Sequence, residues 1–120
     1  METGAVWAIG EAAEGGLWSE STFVLVSNGS ANAGQVRLTV AHDDGMTEQK
    51  TYALPGNARL TIRVLDDFAN TLDRRFSLLV ESLGDGGGEG APLTVECARY
   101  QSASGRFGEA GGVALATRIR

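Results

Sequence analysis

The strongest constraint on this chain is a period of two. In QVRLTVA (35–41), Val36, Leu38 and Val40 alternate with Arg37 and Thr39. ARLTIRV (58–64) repeats the pattern, with Leu60, Ile62 and Val64 against Arg59, Thr61 and Arg63. Successive side chains of a strand point to opposite faces, so alternation with β-branched residues marks half-buried strands. FSLLVESL (76–83) sets Phe76, Leu78 and Val80 against Ser77, Leu79 and Glu81. PLTVECARY (92–100) sets Leu93, Val95 and Cys97 against Thr94, Glu96 and Ala98. STFVLVSN (21–28) is apolar on both faces and reads as a central strand, while EQKTYAL (48–54) is polar enough for an edge. Terminal strands are expected near 6–10 and 113–118.

The punctuation between these stretches agrees. SNGSANAG (27–34) separates two strands, and Asp43-Asp44-Gly45 separates two more. A glycine after aspartate supplies the positive φ that a tight hairpin wants. Pro55-Gly56-Asn57 turns the chain again. DDFANTLDR (66–74) is a longer gap with room for one helical turn, Leu65, Phe68 and Leu72 falling on one face. Glycine, 17 of 120 residues, is about twice the ordinary share of ~7%, which favours turns over helices. Short strands with turn signals every 8 to 12 residues or so indicate a sandwich or barrel. The 120 residues fit one domain, 1–120, and Met1 directly before a domain-like start suggests a unit of a longer multidomain protein.

Charge and cysteine content exclude several functions. A net charge of −5 with only 10 Lys and Arg lacks the basic footprint of a nucleic-acid binder. No basic run favours an anionic membrane surface, and no apolar run approaches the ~20 residues of a membrane-spanning helix. METGAVWAIG is not a signal peptide. Cys97, the single cysteine, precludes an intrachain disulfide and any zinc site built from several cysteines.

SLGDGGGEGAP (82–92) contains Gly86, Gly88 and Ala91 in the pattern G-x-G-x-x-G/A. A dinucleotide fingerprint works because its glycines open a helix whose N-terminus holds a pyrophosphate. Here Pro92 and a strand follow instead. Residues 84–91 are expected to connect two adjacent antiparallel strands. Asp85 and Glu89 lack the spaced carboxylate series of a calcium loop, so no metal and no cofactor are expected.

Other candidates for chemistry have ordinary structural readings. His42, the only histidine, precedes a turn where an exposed polar residue is common, and a general base needs a nucleophile and an orienter beside it. Cys97 shares a face with Leu93 and Val95 and is expected to be buried. The pairs Asp43/Asp44, Asp66/Asp67 and Glu11/Glu14 sit in turns and loops without sign of a glycosidase cleft. Trp7, Trp18 and Tyr100 are the candidate ligand-surface aromatics, the alternative being core-edge residues with wet polar tips. Glu96 points away from the apolar face of its strand, so it would need Arg59 as a partner if that face were covered. Asn28-Gly29-Ser30 fits the N-glycosylation pattern.

Taken in order, Trp7-Ala8-Ile9, Glu11, STFVLVSN, QVRLTV, Asp44-Gly45, TYALP, Arg59-Leu60-Thr61, FSLLVES, PLTVECARY and ALATRIR resemble a repeated β-sandwich module of bacterial secreted and cell-surface proteins, of acidobacterial and actinobacterial type. Members of that family carry W-x-[LF]-A-E-G, a strand ending N-P, an [ED]-D-G hairpin, Y-x-[VL]-P and V-E-R-A-M-Y-W. This chain keeps Trp7, Asp44-Gly45, Tyr52, Pro55, Arg59, Val95-Glu96 and Tyr100. It departs with Gly29 for the proline, Cys97 for the arginine and Gln101 for the tryptophan, the last removing an aromatic from a ligand surface. The resemblance implies an Ig-like sandwich and export, with Gly45, Pro55, Arg59 and Glu96 as structural motif positions and no enzymatic activity.

The expectation is therefore an all-β, Ig-like antiparallel sandwich of seven to nine strands. Its expected role is a non-enzymatic extracellular spacer or assembly module with protein neighbours. A carbohydrate-binding module is the alternative. Edge pairing is expected at EQKTYAL and the terminal segments.

Overall fold

The computed structural model describes residues 2–16, 19–84, 88, 90–101, 110–114 and 116–120, by backbone alone at 101 and 110–114. The chain runs β1 (Val6–Glu14), β2 (Ser21–Ser27), β3 (Gly34–His42), β4 (Thr47–Leu54) and β5 (Arg59–Arg63). A single turn of helix, α1 (Val64–Asp67), and a 3-10 turn, Ala69–Thr71, follow. β6 (Arg74–Leu83), β7 (Thr94–Gln101), β8 (Ala110–Ala114) and β9 (Ala116–Arg118) complete it. Two sheets form, ordered β4-β3-β6-β1-β9 and β5-β2-β7-β8, and the strands in them pair antiparallel.

The residues assigned inward by alternation make the core. Val36, Leu38 and Val40 of β3, Phe76, Leu78 and Val80 of β6, Val24 and Val26 of β2, and Val95 and Cys97 of β7 are all buried. Trp7 and Ile9 of β1, Ile62 of β5 and Phe68 join them. Burying each large apolar side chain contributes about 1.5–3 kcal/mol, which is why period two fixes the register so firmly. Gly45 has the positive φ, +89°, that its hairpin was expected to need.

Several elements depart from expectation. β1 runs on to Glu14, its register with β6 shifting between Ile9 and Ala12 where exposed Gly10 and Glu11 bulge out. It lies inside its sheet, between β6 and β9, and is not an edge. The expected strand at 113–118 is two strands, β8 in one sheet and β9 in the other. The connection after β6 likewise crosses between sheets and does not join neighbouring strands, since β6 and β7 belong to different ones. Asp85, Gly86, Gly87 and Glu89 of its fingerprint-like stretch lie outside the described residues. In the long gap Val64 and Phe68 are buried as expected, but Leu72 is 51% exposed and Thr71 faces the core instead.

β4 is an edge, as expected, and so are β5, β8 and β9. The segment α1–Thr71 carries the chain from β5 in one sheet to β6 in the other. It drops Phe68 into the core and hydrogen-bonds β4, closing one side of the sandwich. The β8–β9 switch closes the other. The two ends of the chain meet: the Ala5 N–H donates to the Arg120 carbonyl at 2.8 Å.

Candidate functional site

The outer face of the four-stranded sheet carries an aromatic pair. β2 alternates fully buried Thr22, Val24 and Val26 with half-buried Phe23 and Leu25. Phe23 pairs in register with Ala98, and Ser21 with Tyr100. Tyr100 is 43% exposed, and its ring meets that of Phe23 edge to face, with centroids 5.6 Å apart and planes at 82°. That geometry is favoured by the ring quadrupoles. β5 borders the patch with exposed Arg59, Thr61 and Arg63, and β7 borders it with exposed Glu96.

Arg59 and Glu96 do not pair. Arg59 stands in register with Ser27, Glu96 with Leu25, and β2 lies between their strands. The face is open to water, so Glu96 needs no partner. Arg63 reaches Asp66 at 3.7 Å, an exposed contact of little energetic weight.

Other candidate residues are tied into the fold. His42 is buried, contrary to expectation, because it is the last residue of β3 and continues the inward series of Val36, Leu38 and Val40. Its Nε2 lies 2.8 Å from the Glu48 carboxylate, which also accepts from Asn70. Cys97 is buried, and burial pushes its thiol up to about 11 against the opposing charge of Arg99. Trp7 is 4% exposed and its indole N–H is shared between the Gly4 and Leu93 carbonyls, so it offers no ligand surface. Trp18 lies outside the described residues. Asn28 is buried, with its amide donating to the Asn32 and Pro55 carbonyls, which removes it as a glycosylation acceptor.

The acidic pairs separate into different roles. Asp43 and Asp44 stay in an exposed turn. Asp67 accepts from Tyr52 and Lys50, and these two hold its carboxyl below the ordinary range, while burial and then Asp67 push the Tyr52 phenol up. Glu11 pairs with Arg75 on the surface, but Glu14 is buried. Its Oε2 accepts from the Thr22 N–H at 2.7 Å. Burial raises its pKa, against the Thr22 N–H, the charge of Arg63 and the Leu65 N–H. Sequence alternation did not reveal Glu14 because the bulge in β1 changes which residues face inward. Glu20, paired with Arg99 at the same end, was also missed.

An open cleft of about 710 Å³ lies at that end, between the β1–β2 and β3–β4 connections. Its carboxylates are largely engaged: Asp73 accepts from Gly16, Asp44 lies 3.8 Å from Arg74, and Glu20 holds Arg99. Among the described residues no group of His, Cys, Asp and Glu is arranged to hold a metal. Glu14 and His42 line the cleft, and among the described residues Glu14 Oε1 and His42 Nδ1 have no hydrogen-bond partner, but both atoms are sealed from solvent.

No protein-family model matches the chain, and no curated protein does. Solved structures share its architecture. Thermotoga maritima 1070 superposes with a TM-score of 0.74 over 96% of this chain and 96% of its own, at 13% identity. The Anabaena sensory rhodopsin transducer superposes with a TM-score of 0.61 over 78% of this chain and 94% of its own, at 17% identity. At such identities the likeness is one of fold, an all-β antiparallel architecture.

Proposed function

We propose that this chain is a non-enzymatic interaction module of a bacterial secreted or surface protein, and that it binds protein through the outer face of its four-stranded sheet. The observation that carries this reading is the Phe23–Tyr100 pair, an aromatic cluster at one end of a face that also carries Arg63, Glu96 and, two rows from Phe23, Arg59. Protein interfaces concentrate aromatic residues and arginine in this way, with a polar rim. A non-catalytic role is supported by the positions of the only histidine and cysteine, one held by Glu48 and one in the core. The fold is also that of a protein described as a sensory rhodopsin transducer. The extracellular setting rests on the sequence resemblance.

The Ig-like description has partial support from strand order. The runs β4-β3-β6 and β5-β2 match the C′-C-F and E-B neighbours of an immunoglobulin sandwich. β1 and β7 have exchanged places: β1 lies beside β6, where the seventh strand belongs, and β7 beside β2. The carbohydrate alternative is weaker, because Trp7 is committed to the core and Tyr100 is the nominated aromatic left exposed among the described residues.

A photoreactive phenylalanine analogue at position 100, expressed within the native host, tests the interaction reading. Protein adducts at 100, and few from the same probe at Thr39 on the opposite sheet, are expected. Equal labelling at both positions, or none at either, sinks it.

A further inference from the structure

We infer that the outer face of the four-stranded sheet pairs with the same face of a second copy of this chain. This deepens the interaction reading above by naming the partner. The argument is one of self-complementarity. In a two-fold interface, residue i of one copy meets residue j of the other, and j meets i. The strands here stand in the order β5-β2-β7, in three consecutive rows: Arg59–Ser27–Thr94, Thr61–Leu25–Glu96, and Arg63–Phe23–Ala98.

A two-fold axis laid along β2 turns β7 of one copy onto β5 of the other and keeps the rows level. Leu25 then faces Leu25, and Phe23 faces Phe23. Glu96 of each copy lies over Thr61 of the other, between its Arg59 and Arg63. One carboxylate is set between two guanidiniums, twice over. Within a single copy neither Arg59 nor Glu96 has an ion-pair partner among the described residues. Arg63 has only the 3.7 Å contact to Asp66. Tyr100, one row further along, falls beside the end of the partner's β5 near Arg63, where a cation–π contact is available.

The size of the face sets the strength. Three strands about 4.8 Å apart, over five paired residues rising ~3.4 Å each, present roughly 14 by 17 Å. That is small beside the ~800 Å² per partner of a standard interface. The dimer is therefore a weak one that forms at high local concentration, as in a repeated or clustered surface protein.

Sedimentation equilibrium from about 10 μM to about 1 mM, a span suited to a weak dimer, is the test. The wild type is expected to move from monomer to dimer across it. Glu96→Arg alone, and Arg59→Glu with Arg63→Glu, are each expected to weaken association at least ~10-fold, one unit of 1.4 kcal/mol. Mixed together, the two variants restore both charge sets and are expected to form a heterodimer of near wild-type affinity. All three positions are exposed, so circular dichroism should show folded protein throughout. A wild type monomeric at every concentration, a dimer indifferent to Glu96→Arg, or two variants that ignore each other overturns the proposal. A foreign-protein adduct at position 100 alongside a strictly monomeric chain ends the dimer while leaving the interaction module standing.

Discussion

Glu14 shows what a single misplaced period does. Its strand bulges at Gly10 and Glu11, so a carboxylate that alternation would place in solvent is buried beside Thr22. Its folded pKa lies above the ordinary 4.5. Its contribution to stability is thus complete below that value and declines as pH rises through the folded pKa. The Glu14→Gln variant escapes this decline, so its Tm relative to wild type should improve as pH rises above about 4.5 and level off once the folded carboxyl has ionised. A difference that does not change with pH would detach Glu14 from the pH response. Asp67 carries the opposite sign. Its carboxyl is held down by Tyr52 and Lys50, so the cost of Asp67→Asn should be present at neutral pH and vanish as pH falls below about 3.8. Neither partnership was legible, since both depend on contacts between distant segments. The burial of Cys97 was legible, because its neighbours two residues away share its face.

At the scale of elements, the residue pattern located β2 to β7 and only the first half of β1, and it could not assign strands to sheets. The stretch 113–118 looks continuous because β8 and β9 are separated by one residue, and a change of sheet leaves no mark on the hydrophobic pattern. The connection after β6 misled for the same reason. β4 was recognisable by its polarity, and the structure adds the reason it is so polar. In register with inward Val40 and Leu38, Glu48 and Lys50 face the core side and are held there by His42, Asn70 and Asp67. Inward-pointing charges discourage a foreign strand from adding to an edge. This redirects the expectation of pairing at EQKTYAL towards the sheet face. The segment that holds them depends on Phe68, 3% exposed. Phe68→Ala should cost about 3–4 kcal/mol and lower Tm by roughly 10–20 °C in thermal unfolding. A loss below about 1 kcal/mol would mean the segment closes the sandwich without Phe68. Gly45→Ala forces a side chain into positive φ and should cost about 1 kcal/mol, measured the same way.

In the whole molecule, β1 is the strand on which the five-stranded sheet depends, flanked by β6 and β9. Removing residues 1–14 should therefore abolish cooperative unfolding, whereas an edge strand in that position would have been dispensable. A truncated chain that still melts in one sharp transition would contradict the sheet order. The contact between Ala5 and Arg120 has a mechanical consequence. Both ends leave the sandwich at one point, so stringing such units together adds mass but little contour length, and each hangs from the chain like a bead on a loop. β9 lies antiparallel to β1, with Trp7 opposite Arg118. Tension on the two ends therefore loads the pairing one hydrogen bond at a time instead of all at once. In an optical trap, β9 should peel away at low force before the rest of the sandwich yields. A tether made of these units would lengthen gently under drag, giving way strand by strand where a stiff strut would snap.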